Sequence, residues 1–76
     1  MTNTRLLKAK MVLNDDTVSK LADCLGVNRQ NMSLKLNGKR EFKQSEIAKI
    51  AKRYRLTFQE LKEIFLDGAE QEEGTA

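Results

Sequence analysis

Almost throughout, apolar residues return every three or four positions, strand-like alternation is hard to find, and the chain contains no proline. That period is the period of the α-helix, so short amphipathic helices are the elements this chain is predicted to form. Its 76 residues make one domain at most, and a domain of this size buries only about 60% of the surface its unfolded chain exposes, so its stability is modest. A small binding module is expected rather than an enzyme. The single Cys24 cannot form an internal disulfide and histidine is absent, which excludes a His/Cys metal centre within one chain. No cofactor and no small-molecule ligand are expected. Lys8 and Lys10 interrupt the N-terminus where a signal peptide needs apolar residues, and no stretch approaches the roughly 18 residues of a membrane span. A reducing cytoplasm, without membrane attachment, is the expected setting.

Five helices are predicted. The first runs from Thr4 to Leu13, with Leu6, Ala9 and Leu13 on one stripe and Leu7 and Met11 beside it. After Asn14-Asp15-Asp16, Thr17 is suited to cap a second helix, Val18 to Leu25, whose inward face is Leu21, Ala22 and Leu25. Gly26 suits a left-handed turn, and Asn28 can cap a third helix from Arg29 to Leu36 with Met32 and Leu36 inward. Asn37-Gly38 is a stop signal. Phe42 plugs the core from the following linker, and a fourth helix from Gln44 to Tyr54 carries Ile47, Ile50, Ala51 and Tyr54 on one stripe. Thr57-Phe58-Gln59-Glu60 has the pattern of a capping box and opens a fifth helix to Leu66, with Leu61, Ile64 and Phe65 buried. Residues 67–76 are poor in apolar side chains and are expected to be disordered. The resulting fold class is all-α, a compact five-helix bundle over residues 1–66 with a central helix-turn-helix and an acidic tail at 67–76.

The formal charge of +3 conceals an asymmetry. All 14 basic side chains but only seven of the 11 acidic ones lie in residues 1–66, a body charge of +7. Between Arg29 and Arg55 there are nine basic residues against Glu41 and Glu46. Such a surface favours a polyanion through field steering and counterion release, although a solvated lysine-rich face would read the same way.

The third helix is where charge meets chemistry. Stepping about 100° per residue from an inward Met32 puts Leu34 about 200° away and Gln30 about 160° away, with Asn31 and Ser33 on the two flanks. Arg29 lies at the helix N-terminus, where its side chain projects forward. Gln and Asn can bond bidentately to adenine, Arg to guanine, and an apolar side chain can meet the thymine methyl, so this face has the chemistry to read a major groove.

Leu21-Ala22, Leu25-Gly26-Val27, Met32 and Asn37-Gly38-Lys39 together resemble the helix-turn-helix of phage Cro and repressor proteins, the XRE-like family. The resemblance implies a lambda-repressor-like fold over about residues 4–66 and a recognition helix in the major groove. Carried over by position, it places Arg29, Gln30 and Leu34 on bases with Asn31 and Ser33 flanking them. Thr17, Ser19, Asn37, Lys39 and Arg40 would hold the DNA backbone. This sequence departs from the pattern in three places. Lys35 stands where the motif ordinarily has an apolar residue, Leu36 falls one place later where a polar one is common, and Val18 replaces a polar phosphate contact. A rotated third helix would exchange the roles of Ser33 and Leu34 and let Lys35 approach a phosphate, its methylene stem on the core edge.

The expected function is a sequence-specific, DNA-binding transcriptional regulator of the phage Cro or repressor type in a bacterial or phage-infected host. Its partner is a double-stranded, palindromic operator. One module offers few phosphate contacts, so a weak C2 homodimer, completed on DNA, is expected, with Phe58 and Leu66 as its apolar contacts. The competing expectation is a protein-interaction module, such as an antitoxin or phage antirepressor, on the same scaffold. Nothing in the chain supplies an enzyme: there is no histidine, no base beside the lone thiol and no phosphate-cradling glycine loop.

Overall fold

Side chains at the helix starts satisfy backbone N–H groups that the helices leave unpaired. The structure, a computed structural model, describes residues 2–66. These form α1 (Thr4–Leu13), α2 (Val18–Leu25), α3 (Arg29–Leu36), α4 (Gln44–Arg53) and α5 (Phe58–Leu61), the last continuing into a wider π-type turn, Lys62–Leu66. Asn3 Oδ1 accepts from Leu6 N at 3.1 Å, Thr17 Oγ1 from Lys20 N at 3.1 Å, Asn28 Oδ1 from Asn31 N at 2.7 Å and Thr57 Oγ1 from Glu60 N at 3.1 Å. Glu60 Oε1 accepts in return from Thr57 N at 2.9 Å, which closes the capping box. No strand occurs among the described residues, and the chain is an all-α bundle. The acidic segment 67–76 lies outside the described residues.

Gly26 ends α2 at φ 71° and ψ 28°, in the left-handed region that costs an L-residue roughly 1–2 kcal/mol. Three residues later α3 begins, so α2 and α3 are joined by a short, tight turn. They pack closely through Ala22, with Val27 against the core and Met32 fully buried. Gly38, at φ 75°, turns the chain out of α3.

The centre of the core takes one side chain from each helical element: Leu7, Leu21, Met32, Ile50 and Ile64, all without solvent exposure. Burying each contributes about 1.5–3 kcal/mol relative to leaving it exposed. Phe42 packs edge-to-face on Phe65, ring centroids 5.7 Å apart, which ties the α3–α4 loop to the π-type turn.

The structure corrects the inward face of α1. Leu7 and Met11 are buried, Leu6 is half-buried, and Ala9 and Leu13 face solvent, Leu13 at 76% exposure. The Leu7–Met11 face buries more apolar area than a stripe that includes Ala9. It also sets Lys10, the next residue round, against the Glu60 carboxylate on α5. Asn3 N donates to Ile64 O at 2.6 Å and holds the start of α1 to the π-type turn. A smaller difference is the end of α4, which falls at Arg53 with Tyr54 as its C-cap.

The loop before α2 is tied to α4 by a polar cluster. Asp16 accepts from Arg53 Nε at 2.7 Å, from Arg53 Nη2 at 2.8 Å and from Tyr54 Oη at 2.5 Å. The Arg53 bond, aided by those from Tyr54 and Thr17 N and opposed by burial, draws the Asp16 carboxyl down to about 2. Burial, then the bond to Asp16, pushes the Tyr54 hydroxyl up.

Candidate nucleic-acid interface

The sequence of α3 divides its surface sharply. Met32, Lys35 and Leu36 are buried on the side facing the bundle, whereas Arg29 and Gln30 are exposed. Asn31, Ser33 and Leu34 are half-buried at the margins. The inward stripe is therefore centred on Met32, and the rotated alternative is not adopted. Leu34, expected fully outside, is half-buried, and its carbonyl accepts from Lys39 N at 2.8 Å where the chain turns after α3.

Lys35 requires a larger correction. Expected at a phosphate, it lies inside at 6% exposure, with Nζ 2.6 Å from Glu46 Oε1 and 3.4 Å from the Glu41 carbonyl oxygen. The ammonium also sits 5.7 Å from the centroid of the Phe42 ring. An ammonium removed from water needs such partners, and with them engaged Lys35 has no reach toward an external anion. Burial of Glu46 alone would raise its pKa. The bonds from Lys35 and Lys43 N outweigh that and hold it below the usual carboxylate value. Lys35 thus fills an inward position of α3 with its charge neutralised internally.

The remaining candidates for backbone contact, Thr17, Ser19, Asn37, Lys39 and Arg40, are all exposed. Thr17 serves as the N-cap, accepting from Lys20 N, which leaves its O–H available to donate outward. Asn37 forms the C-cap of α3, its N–H bonded to Ser33 O at 3.0 Å. Lys39 and Arg40 follow directly on the Gly38 turn, three and four residues past the end of α3 at Leu36.

Electrostatically, three carboxylates are neutralised by ion pairs within the fold. Asp16, Glu46 and Glu60 are engaged by Arg53, Lys35 and Lys10. Within residues 17–43, Lys20, Arg29, Lys39, Arg40 and Lys43 are exposed and without an ion pair, against the exposed carboxylates Asp23 and Glu41. Four of these five cations lie on α3 or on the loop that follows it.

Sequence reasoning missed Glu46. The available signal was a charged residue in an apolar register position, Lys35, followed eleven residues later by a carboxylate in the first turn of α4. Of the basic residues on α4, Lys49 and Lys52 are exposed, whereas Arg53 is committed to Asp16. Comparison with known protein families, with curated proteins and with solved structures finds no match to this chain. No helix among the described residues is long and apolar enough to cross a membrane.

Proposed function

We propose that the chain is a sequence-specific DNA-binding transcriptional regulator of the phage Cro or repressor type, which lays α3 in the major groove of a palindromic operator and acts by excluding polymerase. The observation that carries this reading is the division of α3: Arg29 and Gln30 stand outside, Asn31, Ser33 and Leu34 border them, and the unpaired Lys39 and Arg40 follow on the next turn. Base-edge chemistry beside a cationic loop is what a groove-reading helix requires, since phosphate contacts set the register and side chains on base edges specify sequence. A C2 pair would place two copies of α3 one DNA turn apart. Phe58 and Leu66, at 77% and 47% exposure, support such a pairing.

Selection of bound duplexes from a random pool tests the function directly. An enriched palindrome is the expected result, and equal retention of selected and random duplexes would remove the reading. In that event docking of a protein becomes the better reading, for which the exposed Val12 and Leu13 at the end of α1 offer an apolar surface.

A further inference from the structure

A buried ion pair between the reading helix and its neighbour is hard to explain by stability. Lys35 and Glu46 have side chains only 7% and 6% exposed, and their Nζ and Oε1 atoms lie 2.6 Å apart. Withdrawing two charges from water costs about what their attraction returns, and apolar residues of similar volume at such sites are often neutral or better. Lys35 sits between Met32 and Leu36 on a stripe where a leucine would serve the core equally well. What the pair adds is direction. A leucine tolerates small rotations of its helix, whereas an ammonium must meet its oxygen at one place.

The pair gathers three parts of the chain at one point. Lys35 belongs to the last turn of α3. Glu46 Oε1 also accepts from Lys43 N at 2.9 Å and so caps α4. Between them, the loop contributes the Glu41 carbonyl and the Phe42 ring to the same ammonium. Among the described residues no buried side-chain polar atom is left without a partner, so the arrangement is complete. α3 itself packs mainly on α2 and α1, and the Lys35–Glu46 bond is its polar link to α4.

We infer that Lys35 and Glu46 are positioning residues for DNA reading: they fix the rotation of α3 about its axis and the path of the loop that carries Lys39 and Arg40. The inference rests on the proposed DNA-binding function. Neither side chain touches DNA. Loss of the pair lets Gln30 and Arg29 sample other angles toward the bases, while the number of phosphate contacts stays the same. Sequence discrimination therefore falls and non-specific binding does not.

The test compares wild type, K35M, the double variant K35M/E46L and E46Q by thermal melting and by binding to a selected and a random duplex at fixed salt. K35M alone leaves a buried carboxylate without its cation and is expected to melt lower. The double variant also loses the acceptor for Lys43 N, so it is expected to melt below wild type by no more than a lost helix cap costs, and to bind the random duplex within about twofold. Its preference for the selected duplex is expected to drop about tenfold, the size of one lost base contact. E46Q keeps an oxygen for Lys35 and for Lys43 N, and is expected to retain most of the preference. A double variant that discriminates like wild type, or one that fails to fold, would overturn the inference, the second by showing that the pair exists for stability. Wild type without any preference would instead overturn the DNA-binding reading.

Discussion

Asp16 and Arg53 form a two-point bond, Oδ2 to Nε at 2.7 Å and Oδ1 to Nη2 at 2.8 Å, that joins the segment preceding α2 to the last residue of α4. The Asp16 side chain is 2% exposed and that of Arg53 32%, so this pair is far less screened than a surface salt bridge. A carboxyl lowered from 3.8 to about 2 corresponds to about 2 kcal/mol of folding stability. The folded value lies below the unfolded one. The contribution is therefore complete above about pH 4 and disappears as the pH falls toward 2. Melting temperatures measured from pH 7 to pH 2 are expected to drop steeply below pH 4 in the wild type. In D16N that steep component should be much reduced, from a lower starting point at pH 7. A variant with the wild-type acid limb would show that Asp16 is not its source.

Base reading and phosphate binding separate by mutation. Q30A and R29A are each expected to cost about 1–3 kcal/mol at a single base position and to relax selectivity there. K39A and R40A are expected to weaken binding to all duplexes alike and to reduce the salt slope by about one each. Titration of a selected duplex and its single-base variants at several salt concentrations distinguishes the two classes. A uniform loss for Q30A across all sequences would contradict its place on a base.

Sedimentation at micromolar concentration is expected to show mostly monomer alone and two chains per duplex on operator DNA. Replacing Phe58 by Glu puts a charge on an exposed apolar position and is expected to abolish the two-to-one complex while leaving the melting temperature nearly unchanged. A stoichiometric one-to-one complex in the wild type would exclude the dimer.

Met32 has no exposed surface and lies on the inward stripe of α3, so M32A is expected to cost about 2–5 kcal/mol. In a domain of this size that is much of the total, and urea denaturation at neutral pH measures it. G26A needs no space that is taken, because nothing lies within 4 Å of an added Cβ. Its expected cost of about 1 kcal/mol comes from the left-handed φ alone.

The boundaries of the first three helices were legible because their signals are local. Thr17 and Asn28 cap the helices that follow them, Gly26 supplies the left-handed turn, and Asn37-Gly38 stops α3. Nothing in those assignments depends on distant residues. The face of α1 did depend on them: Leu6–Ala9–Leu13 and Leu7–Met11 are equally helical patterns, and the choice was made by Lys10 meeting Glu60 and Asn3 meeting Ile64, fifty residues and more away. Within the candidate site the exposed Arg29, Gln30, Lys39 and Arg40 followed from helical periodicity and turn chemistry. Lys35 did not, because the carboxylate that permits its burial sits on another helix. The same holds for Arg53, which counted as part of a positive surface until its partner before α2 was known.

The bond from Asn3 N to Ile64 O has a practical corollary. Both extremities of the described fold meet at one corner, so a circular permutant that links Asn3 to Leu66 with a short bridge is expected to tolerate new termini in an exposed loop. Opening the ring between Asp15 and Asp16 would leave α3 untouched and show whether the clasp at that corner is sufficient to hold α1 in place.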